Sequence, residues 1–261
     1  MTSIDKKNIK TFPEHPPNIE FPYGNEVIDK IRTDTQSIMD SSNKLKYTKE
    51  KFEIDKESIT NIIKESLSSV EHNETYSHMI RIWLLSSFIA KLLSEKFSLS
   101  ENYIEYLWLT APLHDFWKIW IPPSILEKPG KLTKEEYAIM QKHPLIGWHI
   151  LEYIRNIIGK GPILEIAQEI ALCHHERYDW TWYPYWLNWE GIPLSARIVG
   201  IADVIDVLKS TRVYKPTAFS DEKVAEIIRE WRWKHFDPFI ADIVLENLKE
   251  ILQLIKNYNN K

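Results

Sequence analysis

The sequence predicts an all-α protein, with an irregular lead-in and polar helical extension over residues 1–70 and a helical bundle over residues 71–261. Three observations predict it. Apolar residues recur at intervals of three and four along much of the chain, runs alternating with period two are scarce, and a helix-start signature precedes one of the stripes. The 261 residues suffice for one good-sized domain plus an extension. A content of 44% hydrophobic and 27% charged residues excludes a fibrous, collagenous or largely disordered chain.

Taken in order, residues 1–25 hold Pro13, Pro16, Pro17 and Pro22 and read as irregular. Residues 26–70 are polar, with thin helical spacing at Ile59, Ile62, Ile63 and Leu67. They predict one or two amphipathic helices packed on the body or on a partner, and offer a surface for a homodimer or a signalling partner. They are too few and too polar for a typical phosphate-receiver domain. Ile80, Leu84, Leu85, Phe88, Ile89 and Leu92 form the stripe of the first body helix. Further helices are expected over 101–113, 133–141, 144–157, 162–177, 193–209, 220–232 and 238–256. Thr133 followed by Glu136 is a capping-box signature for the second of these. Pro122-Pro123 and Pro129-Gly130 mark turns.

The formal net charge of −4 argues against a long nucleic-acid partner. The single cysteine, Cys173, cannot form an internal disulfide, and the N-terminal residues lack the apolar core of a signal peptide. The most apolar stretch, Ile80 to Leu93, carries Arg81 and Lys91 and is too short to span a bilayer. A cytoplasmic protein without a membrane segment is the expectation.

The chemistry lies in the histidines and acids. Glu74 and His78 are four apart on one predicted helix face. His114 and Asp115 are adjacent, with Lys118 three residues on; His143 precedes a proline; His174 and His175 are adjacent, followed by Glu176 and Asp179; Asp203 interrupts an apolar helix. Any one of these taken alone is more often a hydrogen-bonded core group than a ligand. Adjacent pairs of side chains that are costly to bury shift that balance. Together they suggest a mixed nitrogen and oxygen cage, suited to iron or manganese rather than to a thiolate zinc site.

The runs HDFWKIWIPPSILEKPGKLTKEE, HPLIGWHIL, HHERYDWTWYP and RIVGIADVIDVLKSTRVYKP resemble the HD-GYP subgroup of the HD phosphohydrolases, collinearly from about Glu74 to Asp242. The resemblance implies an HD-domain helical bundle that hydrolyses cyclic di-GMP to linear pGpG or GMP at a centre of two or three divalent metal ions. Carried over residue by residue, it makes His78, His114, Asp115, His143, His174, His175 and Asp203 the metal shell, with Glu74 the carboxylate of members holding a third ion. Asp115 and Lys118 become the catalytic pair. Lys118, Asp179, Tyr183, Arg212 and Lys215 become substrate contacts. Rival readings are a non-catalytic nucleotide receptor or scaffold, and an HD phosphohydrolase for another nucleotide.

The departures from the family pattern are of one kind. The chain has 11 Trp and 7 Gly, whereas the usual share of glycine would give about 18. Where the family reads HD, any residue, Gly-Lys, this chain has His114-Asp115-Phe116-Trp117-Lys118. In the signature loop, Trp180 and Trp182 stand at family glycines, and Trp120, Trp186 and Trp189 stand where glycine is common. Trp231 and Trp233 lie in a stretch where glycine is usual, and Trp83, Trp108 and Trp148 are compatible with it. Three readings compete: indoles that stack on guanine bases, a degenerate domain that binds without cutting, or UGA codons read as tryptophan in a gene whose organism reads them as glycine. The last is favoured, because returning all 11 restores the ordinary glycine count.

Overall fold

The computed structural model describes residues 74–210 and 217–259. The expected extension over 1–70, with its partner surface, and Arg212 and Lys215 lie outside the described residues. Helix α1 spans Glu74–Phe97 and α2 Glu101–Thr110, followed by 3-10 turns at Ala111–His114 and Phe116–Trp120. Short helices α3 (Pro123–Leu126) and α4 (Lys134–Met140) lead to α5 (His143–Ile158) and α6 (Pro162–Cys173). A loop with a 3-10 turn at Trp189–Gly191 precedes α7 (Leu194–Lys209), and α8 (Asp221–Trp231), α9 (Pro238–Glu246) and α10 (Leu248–Asn259) complete the bundle. Among the described residues no strand forms; there are only isolated bridges, Asp179 with Asn188 and Arg232 with Phe236.

Local chemistry accounts for the helix starts. The Ser100 hydroxyl accepts from the Tyr103 amide, and the Ser220 hydroxyl from the Lys223 amide. Thr133 and Glu136 form the full reciprocal capping box. Asp237 accepts from the amides of Phe239 and Ile240 and also pairs with Arg197 of α7, tying the start of α9 to the core.

Several boundaries differ from expectation, each for a physical reason. The helix expected over 101–113 ends at Thr110, because Pro112 has no N–H to continue the ladder and the chain tightens into a 3-10 turn. The helix expected over 238–256 breaks at Asn247, whose side-chain amide donates to the Ile243 carbonyl. The helix expected to reach residue 177 stops at Cys173, because the Glu176 carboxylate accepts from the backbone amides of Tyr185 and Leu187 in the following loop.

In α1 the inward stripe is Ile82, Leu85, Ile89 and Leu93, all fully buried, whereas Leu84 of the expected stripe is exposed. This stripe packs on Ile198, Ile201, Ala202 and Ile205 of α7. A second cluster joins Trp117, Ile121 and Ile125 to Ile146 and Ile150 of α5 and to α6. Helices α1, α5, α6 and α7 and the turn after α2 therefore meet at one place. Close approach there depends on Gly200 of α7: a Cβ at this position would lie 2.9 Å from the His174 carbonyl oxygen.

Candidate metal centre

His78 lies one turn before Ile82 on the buried face of α1, so the packing of α1 on α7 carries it to Asp203 and Asp206. Its Nε2 is 3.4 Å from Asp203 and 3.3 Å from the Nε2 of His114. His114 and Asp115 sit where the two 3-10 turns join, His143 opens α5, and His174 caps the end of α6. The His143 Nε2 is 3.3 Å and the His174 Nε2 3.6 Å from one oxygen of Asp115. The other Asp115 oxygen is 3.6 Å from the His114 Nε2 and accepts from the Lys118 ammonium at 2.6 Å.

Two groups of ligand atoms result. Asp115, His143, His174 and His175 form one, and His78, His114 and Asp203 the other. Asp115 presents one oxygen to the first group and its other oxygen to His114 of the second.

The ring orientations fit a cation. The Nδ1 atoms of His114, His143 and His174 face the carbonyls of Ala111, Met140 and Ile170 at 2.8–2.9 Å. A carbonyl only accepts, so each Nδ1 carries the proton and each Nε2 turns a lone pair inward. Facing lone pairs at 3.4 Å between His143 and His174 repel unless something positive lies between them. The buried Oδ1 of Asp115 likewise has no hydrogen-bond donor. Every donor is nitrogen or oxygen. Cys173, although adjacent in sequence, is a buried thiol whose pKa burial pushes far up.

Electrostatics prepare the ligands. Burial holds the His114 and His175 imidazoles well below their ordinary pKa, and His143 falls to about 4. These rings are neutral at pH 7 and need shed no proton to bind an ion. For Asp115, burial favours the acid form, but Lys118, His114, His143 and His174 outweigh it and hold the carboxyl well below the usual range. Asp203 is pushed up, mainly by burial and then by Asp115, although His78 opposes the shift. His78 differs from the other rings. Burial alone would lower it, yet its bond to Asp206 and the nearby charges of Asp203, Asp206 and Asp115 raise it.

Asp206 is the residue sequence reasoning missed. It is fully buried and accepts from the His78 Nδ1 at 2.7 Å, from Arg81 at 2.5 and 3.1 Å, and from Ser210. The available signal was its spacing: Asp203 and Asp206 lie three apart in an apolar helix, on one face, and Arg81 lies three after His78.

The other expected site residues are placed as follows. Glu74 is the first residue of α1, one turn before His78, and its side chain lies outside the described set. The Tyr183 ring lies 5.0 Å from that of His175. Asp179 accepts from the amide and hydroxyl of Thr181, so it shapes its own loop.

An all-helical frame that gathers histidines and aspartates from five segments into two adjoining nests defines a helical metal-binding domain. Residues 57–240 match the HD domain family, and the chain belongs to it. Over 231 residues, 85% of this chain and 45% of the relative, it is 39% identical to a cyclic di-GMP phosphodiesterase of Vibrio cholerae. The cyclic di-GMP phosphodiesterase response regulator RpfG of Xanthomonas campestris is 40% identical over 66% of this chain and 44% of its own length. A 3'3'-cGAMP-specific phosphodiesterase of V. cholerae is 38% identical over 69% of this chain and 33% of its own length. The chain thus spans less than half the length of each of these relatives. Among the described residues no helix is long and apolar enough to cross a membrane.

Proposed function

We propose that this chain hydrolyses a phosphodiester bond of cyclic di-GMP, giving linear pGpG or GMP, with two divalent ions, iron or manganese, held by the two groups. One observation carries the reading: Asp115 turns one oxygen to each group, the arrangement of a carboxylate shared between paired ions. The relatives named for cyclic di-GMP support the substrate, and Glu74 is the candidate ligand for a third ion. Bound there, the ions supply Lewis acidity toward the phosphate and an acidified water.

The chain's own groups do the rest. His78, His114, Asp203, His143, His174 and His175 fix the positions of charge, and the Nδ1 partners of His78, His114, His143 and His174 set those ring planes. Hydrolysis adds a water oxygen to phosphorus, builds negative charge on the phosphate oxygens, and breaks a P–O bond whose leaving oxygen takes a proton. The Lys118 side chain is 29% exposed while paired to Asp115, so its ammonium stands between the cluster and solvent with a charge for the phosphate and a proton for the leaving oxygen. Arg212 and Lys215 are proposed as further phosphate contacts, and Tyr183 and Asp179 as the wall of the nucleotide site.

The test is turnover of cyclic di-GMP by metal-loaded protein, read by chromatography of the products alongside metal analysis. Asp115→Asn loses bound metal and turnover together. Lys118→Met keeps the metal and loses turnover by roughly 10²–10⁴-fold, the range for a general acid. Tight binding with no linear product would establish a nucleotide receptor instead, and cleavage confined to cGAMP would reassign the substrate.

A further inference from the structure

Among the described residues, five non-glycine positions hold φ in the left-handed region, and four of them are tryptophan. Trp180 stands at 58°, Trp186 at 51°, Trp189 at 47° and Trp233 at 69°. The fifth, Ser98, follows the last turn of α1, where a left-handed residue is an ordinary helix end. For a bulky side chain such a φ is an outlier, because Cβ crowds the neighbouring carbonyl; glycine has no Cβ to crowd. Nor does burial offset the strain at three of the four, since Trp180, Trp186 and Trp233 are 54%, 52% and 52% exposed.

A second, independent mismatch lies in buried indole N–H groups. Buried indoles ordinarily give their N–H an acceptor, yet those of Trp83 and Trp117 have none. Trp180, Trp186, Trp189 and Trp233 therefore sit where the backbone asks for a residue without a side chain, and Trp83 and Trp117 where the indole N–H goes unpaired. The chain has 11 tryptophans and only 7 glycines.

We infer that Trp180, Trp186, Trp189 and Trp233 occupy glycine positions, and that the natural protein carries glycine at all 11 tryptophans, encoded by UGA codons that its organism reads as glycine. The inference is independent of what the site binds. It also bears on the site, because Trp182 lies 4.9 Å from the Arg177 guanidinium and 5.8 Å from the Tyr183 ring. Glycine at 182 removes that ring from both.

The coding DNA is the direct test: UGA is expected at codons 180, 186, 189 and 233 and at the other seven, and UGG at these codons overturns the inference. Protein purified from its source should be lighter than the written chain by eleven exchanges of an indolylmethyl group for hydrogen, and should lack tryptophan fluorescence. A mass equal to that of the written chain overturns it as well. Expressed as written, the chain gives a third readout. Trp180→Gly, Trp186→Gly and Trp233→Gly should each raise the thermal midpoint by a few degrees. Phe239→Gly, at a helical aromatic that is 44% exposed, should lower it. A fall at all three tryptophan positions overturns the claim that the backbone there is built for glycine.

Discussion

Asp206 belongs to neither group of ligand atoms, yet its carboxylate fixes the His78 ring while neutralising Arg81. Asn at this position keeps the shape but removes the charge. A partner outside the ligand set that orients a ligating histidine is worth about 10–100-fold in metal affinity, so Asp206→Asn is expected to lower metal content on equilibrium dialysis by that factor. It also takes the charged Asp206 partner from a buried guanidinium that keeps its bond to Ser210, for which a loss of up to about 3–5 kcal/mol in denaturant unfolding is expected. Arg81→Met in the same background should recover part of the stability and none of the metal binding. Equal metal affinity in wild-type and Asp206→Asn protein would show that Asp206 serves only the fold.

At the scale of elements, the approach of α7 to the end of α6 sets whether Asp203 stays beside the His114 and His174 side of the cluster. Gly200→Ala places a methyl 2.9 Å from a backbone oxygen that cannot rotate away, and overpacking of this kind costs about 1–3 kcal/mol. Lower stability and weaker metal retention are expected together, the first by denaturant titration and the second by dialysis. The sequence made helices legible wherever a cap or a stripe was local, as with Thr133 and Glu136 before α4. It hid them where a distant partner decided. Nothing near Glu176 announces that its carboxylate will hold two loop amides nine and eleven residues later. Nor could periodicity show that Leu84 faces out while Ile82 faces in. The histidines of the candidate centre were legible through adjacent pairs that are costly to bury and through the family resemblance; Asp206 and Arg81 were not, since each reads alone as an ordinary charge.

For the whole molecule, the cluster ties together the start of α1, the turns after α2, α5, α6 and α7, so a bound ion stabilises the entire fold. At a free ion concentration one hundred times the dissociation constant that linkage is worth about 2.7 kcal/mol, and chelation should lower the thermal midpoint accordingly. The chelated protein then exposes the titration of its buried rings. Burial lowers His143 to about 4, with its bond to Asp115 opposing and Lys118 adding to the shift. His235, stacked on Phe236 with its Nδ1 unpartnered, is lowered to about 3 by burial and then by Arg177. An unfolded histidine takes up its proton near pH 6.5. Below that pH the unfolded chain binds protons that the fold refuses, so the stability tied to these rings is fully present above about 6.5 and falls with pH until the folded rings themselves titrate. The lowered rings should therefore give metal-free protein a steady decline in stability from about pH 6.5 toward pH 4, read by urea midpoints across the range, whereas His78, whose pKa is raised, gives a loss as pH rises above about 6.5. His235→Phe removes one of these lowered rings without touching the cluster: its stability at pH 7 should match or exceed that of the parent, and its decline should be shallower. An unchanged slope would mean that the His235 ring takes its proton from solvent without opening the fold.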